Sequence, residues 1–189
     1  MKVGLFFGSF NPMHLGHKVI ASYMAEFSDL EKVVFVVSPQ NPFKEKKSLL
    51  NQHHRSQIIR VEVNDNKKLD VSDIEFKMPQ PSYTIDTLVR LKESNPENEY
   101  AIIIGADNLQ GFHKWKNYEQ ILEDYSIYVY PRPGFDINGS HKNVHIVTGV
   151  PQMEISASFI RNSIKEAKDV SYLMPEKAWQ YIDEMNFYK

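Results

Sequence analysis

Residues 3–23 read VGLFFGSFNPMHLGHKVIASY. Val3 to Phe7 is an apolar run of strand length that stops at Gly8. From Leu15 onward, apolar side chains recur at helical spacing (Leu15, Val19, Ile20, Tyr23, Met24, Phe27), which predicts a helix over 15–27 with these residues facing inward. The connection Gly8–His14 therefore leaves the carboxyl end of a strand, where ligands bind in open α/β sheets. Gly8 has no side chain and would let a ligand approach the backbone. Pro12 offers no N–H and fixes the turn. Gly16 at the helix start costs about 0.8–1.0 kcal/mol against Ala in a helix interior, so it calls for another reason, such as close contact with a flat or charged ligand. His14 and His17, three apart, point to one side, where backbone N–H groups and the positive end of the helix dipole also point. Taken alone, this is equally a turn with two surface histidines. A zinc site is not indicated, since no HExxH glutamate and no third ligand stand at the usual spacing. The G-x-G-x-x-G dinucleotide fingerprint is also missing after this strand.

Further runs of strand length follow at 32–38, 100–105, 126–131 and 143–148, rich in β-branched and aromatic residues and without strict alternation, which suits strands covered on both faces. Helical patterns lie between them, at 82–93 (Ile85, Leu88, Val89, Leu91) and 118–124. Two more close the chain, at 158–167 and 175–185, the last with Pro175 in its first turn. Alternating strand and helix predicts an α/β fold: a doubly wound, Rossmann-like parallel sheet of about five strands, flanked by helices, with a C-terminal helical segment from about 158 to 189. The whole chain, 1–189, is expected to form one domain. The stretch 131–142 (PRPGFDINGSHK) is the expected surface loop.

Of the 189 residues 42% are hydrophobic, enough for a real core, and the net charge of -2 shows no basic surplus of the kind a nucleic-acid binder carries. The absence of cysteine excludes a disulfide scaffold, a zinc ribbon and a thiol nucleophile. No window approaches the ~18–20 apolar residues of a membrane span, and no secretory signal pattern is visible. The expectation is a soluble cytoplasmic protein with no membrane or nucleic-acid partner; the sequence leaves a homo-oligomer open.

GSFNPMHLGH (8–17) resembles the G-[ST]-F-[DN]-P-x-H-x-G-H signature of the nucleotidylyltransferase superfamily, with Phe7 where many members have a first glycine. ISASFIR (155–161) resembles a second signature, ISSTxIR, with Ala157 in place of the usual middle serine. Ser158 is a plausible N-cap there, and Arg161 lies one turn in, able to fork onto phosphate oxygens. Further segments resemble the bacterial nicotinate mononucleotide adenylyltransferases: QNPFK (40–44), with Lys44 matching and Phe43 replacing a histidine; HHR (53–55), with His54 and Arg55 matching; PSYTIDTL (81–88); then GAD (105–107), KW (114–115) and RPG (132–134) in the family's order. The similarity spans nearly the whole chain.

The resemblance implies adenylyl transfer from ATP to nicotinate mononucleotide. His14, His17, Lys44 and Arg161 would be the catalytic set, and Gly8, Ser9, Phe10, Gly16, Ser156 and Ser158 would hold ATP and its phosphates. Tyr83, Thr84 and Trp115 would surround the nicotinate ring, Asp107 would accept ribose hydroxyls, and Arg132 would reach the acceptor's phosphate. Mg²⁺ would enter with ATP, held mainly by its phosphates, with no dedicated protein ligands. Two alternatives stay open: another HxGH adenylyl- or cytidylyltransferase such as a pantetheine-phosphate adenylyltransferase, and a non-catalytic nucleotide-binding regulator of the same fold.

Overall fold

The structure is a computed structural model that describes residues 1–39, 49–135, 137 and 141–189. In chain order its elements are β1 (Lys2–Gly8), α1 (Leu15–Phe27), β2 (Lys32–Val37), α2 (Gln52–Val63), β3 (Leu69–Ser72), α3 (Thr84–Ser94), β4 (Glu99–Gly105), α4 (Ala106–Gln110), α5 (Tyr118–Asp124), β5 (Ser126–Tyr130), β6 (Val144–Ile146), α6 (Ala157–Lys165) and α7 (Glu176–Glu184). The six strands form one sheet in the order β3-β2-β1-β4-β5-β6, every pairing parallel. This is the doubly wound order, in which the direction of winding reverses between β1 and β4.

A parallel sheet covered by its crossover helices has to bury side chains on both faces. Along β4, Ala101 and Ile103 face the layer of α1, α2, α6 and α7, while Tyr100, Ile102 and Ile104 face the layer of α3 and α5. Unbroken apolar runs follow directly for β1, β2, β4 and β5; β6, also visible in the sequence, lies at the sheet edge with His145 and Ile146 exposed. Ile160 and Ile164 of α6 and Ala178 and Ile182 of α7 share their core with Phe6 and Phe35, so the C-terminal helices pack onto the sheet itself.

Several expectations need correction. Among the described residues the sheet has six strands, the five expected and one more. The unforeseen one, β3, is four residues at the sheet edge whose buried Leu69 and Val71 alternate with Asp70 and Ser72, too short and too polar to stand out. Helix α2 was also not expected: Ile58, Ile59 and Val63 make its buried stripe, but Arg55 and Ser56 extend that stripe with polar residues and blur the period. On α1 the buried line runs through Ile20, Ala21, Met24 and Ala25, so Phe27, expected inside, is 71% exposed and stacks on Tyr23. Val89 of α3 is likewise exposed.

Phe35 lies in the middle of β2 with no accessible surface and contacts the rings of Phe6 and Phe10. Phe35→Ala should cost about 3–5 kcal/mol in urea-induced unfolding, whereas Phe27→Ser should stay within about 0.5 kcal/mol of the parent protein. Equal losses would mean that the buried face of α1 and β2 is misassigned.

Candidate active site

Where the winding reverses, the connections from β1 and β4 leave in opposite directions, and a crevice opens at the carboxyl ends of the two strands. A cleft of about 900 Å³ occupies that position, within the range that holds a small-molecule ligand. Gly8 ends β1 and Gly105 ends β4 on its floor. Every described residue expected in the site lines this cleft except Gly16, which lines a smaller adjoining pocket with His14, His17 and Arg132. Lys44 and Phe43 lie outside the described residues.

The β1–α1 connection is built around two packed rings. A Cβ at Gly8 would come within 2.8 Å of the Phe10 ring. The bare backbone there makes room for Phe10, and it also lies on the cleft floor. Phe10 itself adopts φ 43° and is buried edge-on against Phe6, Phe35 and His17. It supports the site from the core side. Gly16 has a similar cause: a Cβ there would lie 3.1 Å from Cε1 and Nδ1 of His14. The flat group next to Gly16 is thus the His14 imidazole, and the 6% exposure of His14 shows how closely it is enclosed.

The two histidine rings stack at 3.7 Å between centroids. The backbone N–H of His14 donates to Nδ1 of His17 at 3.3 Å. A nitrogen that accepts is unprotonated, so a neutral His17 carries its hydrogen on Nε2. Burial, aided by the nearby charge of Arg132, pushes the His14 pKa down to about 4. Its Nδ1 is buried with no hydrogen-bond partner among the described residues.

The second phosphate-facing element is the start of α6. Its N-cap is Ser156, not Ser158: the Ser156 hydroxyl accepts from the N–H of Phe159 at 3.1 Å. Ser158 stands inside the first turn, where its hydroxyl accepts from Arg161 Nη2 at 3.3 Å. Arg161 also donates through Nη1 to the carbonyl of Asn11 at 2.7 Å. The two motif segments, 150 residues apart, are thus in direct contact.

On the opposite wall, α3 begins after Tyr83, and no side chain caps it. Its first-turn N–H groups, Thr84 among them, are left to face the cleft. Ser82 does not cap either; its hydroxyl donates to Glu75 at 2.7 Å, and Thr87 donates to the other oxygen at 2.8 Å. Burial raises the pKa of Glu75 against these bonds and one to Ser38. Lys116 pairs with Asp86 at 2.9 Å and lies over the Tyr83 ring at 4.9 Å, and Trp115 is half-buried against Phe112. Asp107 and Arg132, expected to serve ribose and phosphate separately, face each other with Nε to Oδ1 at 3.6 Å, and neither of those atoms has a hydrogen bond among the described residues. Gly105 leaves them the room: a Cβ there would meet Asp107 Oδ1 at 2.3 Å.

A cytidylyltransferase-like family model matches residues 5–163. The probable nicotinate-nucleotide adenylyltransferase of Flavobacterium johnsoniae is 51% identical over 193 residues and covers all of both chains. That of Christiangramia forsetii is 53% identical, covering 100% of this chain and 98% of its own. The chain belongs to the nicotinate-nucleotide adenylyltransferase family. A Plasmodium falciparum nicotinic acid mononucleotide adenylyltransferase complexed with NaAD shares the fold, with a TM-score of 0.83 at 19% identity over 99% of this chain and 97% of that one.

Two residues of this adenylyltransferase-family chain escaped the sequence analysis. Arg55 was noticed as part of HHR but given no task. It is fully buried and donates to the carbonyls of Leu50, Ser9, Ser38 and Pro39. One guanidinium thus ties the β1–α1 loop to both flanks of the segment 40–48. Glu75 carried no signal at all, because nothing local distinguishes a buried glutamate from a solvated one. The hydroxyls of PSYTIDT that hold it, Ser82 and Thr87, were the available hint.

A neutral His14 makes stability pH-dependent. The folded pKa of about 4 lies below the ordinary histidine value of 6.5, so between these values the unfolded chain binds more protons than the folded one. The contribution is fully present above pH 6.5 and is lost as pH falls toward 4. It amounts to about 3 kcal/mol at most, from ~1.4 kcal/mol per unit. Urea titrations from pH 7 to 4.5 should show His14→Asn losing less stability than the parent protein over this interval. Parallel pH curves would refute the assignment.

Proposed function

We propose that this chain catalyses adenylyl transfer from ATP to nicotinate mononucleotide, forming nicotinate adenine dinucleotide and releasing pyrophosphate. The observation that carries it is the contact between the histidine loop and α6 at the reversal point of the sheet, with the uncapped start of α3 across the same cleft. A phosphate oxygen of the acceptor attacks the α-phosphorus of ATP, the new P–O bond forms, and the bond to the β-phosphate oxygen breaks. The nucleophile is already ionised near pH 7, so no serine, cysteine or strong base is required. The protein supplies alignment and charge neutralisation.

His17 donates from Nε2 to the α-phosphate region, and His14, held neutral, stacks on it and keeps its ring in place. Arg161, Ser158 and the first-turn N–H groups of α6 receive the outgoing pyrophosphate. Lys44, from the family resemblance, adds positive charge to the triphosphate. Mg²⁺ arrives on the ATP phosphates and offsets their charge. On the acceptor side, Trp115 and Tyr83 flank the pyridine ring, and the α3 N-terminus attracts the nicotinate carboxylate. Asp107 and Arg132 exchange their long mutual contact for ribose hydroxyls and the acceptor phosphate.

No helix among the described residues is long and apolar enough to cross a membrane, and with no basic surplus a cytoplasmic enzyme of small-molecule substrates is the proposed setting. Pyrophosphate release with MgATP, assayed over a panel of acceptors, tests the activity. Nicotinate mononucleotide should exceed the nicotinamide nucleotide by about tenfold or more in kcat/KM, the value of one well-placed charged contact. Comparable turnover of both, or preference for pantetheine phosphate, would overturn the assignment. His17→Ala should lower the single-turnover rate by roughly 10²–10³; a rate near that of the parent protein would remove His17 from the chemistry.

A further inference from the structure

Asn11 is the meeting point of four segments. Its backbone carbonyl accepts from Arg161 at 2.7 Å, and its side-chain Oδ1 accepts from the Tyr188 hydroxyl at 2.8 Å and from the N–H of Leu50 at 3.2 Å. It is only 5% exposed, so an oxygen that lost a donor here would not regain it readily from water. Asn11 stands three residues before His14, and Pro12 separates them without an N–H of its own. The direction of the Asn11 carbonyl, and with it the seat of Arg161, is therefore set by what holds the Asn11 side chain.

Tyr188 comes from the stretch after α7, far from the motifs. Its backbone lies in the left-handed region at φ 67°, which a bulky residue adopts only where its surroundings fix it. The preceding Phe187 packs against His54 and Tyr181, and its N–H bonds back to the carbonyl of Ile182. The Tyr188 ring packs against the core shared by α1, α2, α6 and α7, which aims its hydroxyl at the loop that carries the histidines.

We infer that Tyr188 is a positioning residue for adenylyl transfer: through Asn11 it fixes the β1–α1 loop against Arg161 and so sets how the triphosphate is held. The inference rests on the proposed function, and the two can fail separately. Tyr188→Phe removes one hydroxyl and keeps the buried ring. Well below the melting temperature of either protein, the Kd for a non-hydrolysable ATP analogue and the KM for ATP should rise about three- to tenfold, the equivalent of one hydrogen bond. The KM for nicotinate mononucleotide should change less than twofold. In an Arg161→Lys background the same substitution should add nothing further to the Kd, because its effect passes through the Arg161 seat. Unchanged analogue affinity with only a lower melting temperature would make Tyr188 a structural residue and overturn the inference. An equal added rise in the Arg161→Lys background would overturn it too. If the parent protein did not turn over nicotinate mononucleotide, the functional proposal would fail, while the analogue Kd would still report on Tyr188.

Discussion

The placement of β1 between β2 and β4 is the constraint on which the molecule depends. Both pairings are parallel, so both strands end at the same edge of the sheet, yet β1 sends its chain toward β2 and β4 sends its chain toward β5. The two connections must part, and among the described residues a cleft opens between them. Gly8 and Gly105 sit side by side at the base of this opening, and each lacks a Cβ for a local reason, the Phe10 ring in one case and the Asp107–Arg132 pair in the other. The cleft is a product of topology, and the side chains around it are shaped to keep it open.

The net charge of -2 is a poor advertisement for a protein that gathers phosphates. The positive field comes from elsewhere. Helices α1, α3 and α6 all begin at the cleft, and each contributes N–H groups and the positive end of its dipole without a formal charge. Arg161 adds a full charge at the rim. Arg55, the other arginine of the motif set, gives its charge to backbone carbonyls and spends none on the ligand. Burial holds its pKa down to about 10, still far above neutrality. The division of labour is physical: a fully buried guanidinium satisfied by carbonyls stiffens loops, whereas a half-buried one remains able to meet an anion.

The legible parts of the sequence were those in which a local pattern has a single cause. Apolar runs of strand length mark strands, and five of the six among the described residues were found that way, β6 among them although its His145 and Ile146 are exposed. GSFNPMHLGH and ISASFIR named the phosphate side because their residues are consecutive. Patterns failed where a residue answers to a distant partner. Ser158 looked like a cap, but Ser156 holds that position. Gly8 and Gly16 gave no hint of the rings they make room for, Phe10 and His14. Glu75 gave no sign, because its partners lie on another element.

By itself, then, the sequence determined five of the strands and five of the helices in order, the doubly wound class, the family, and a set of candidate residues for the cleft. These follow from periodicity and from short contiguous motifs, which are one-dimensional properties. The tertiary structure alone decided which of those residues touch ligand-facing space and which support them, where the His17 hydrogen resides, that Asp107 and Arg132 oppose each other, and that Asn11 joins Arg161 to Tyr188. Hydrogen bonds and burial depend on distances between groups remote in the chain, and no local pattern encodes a distance.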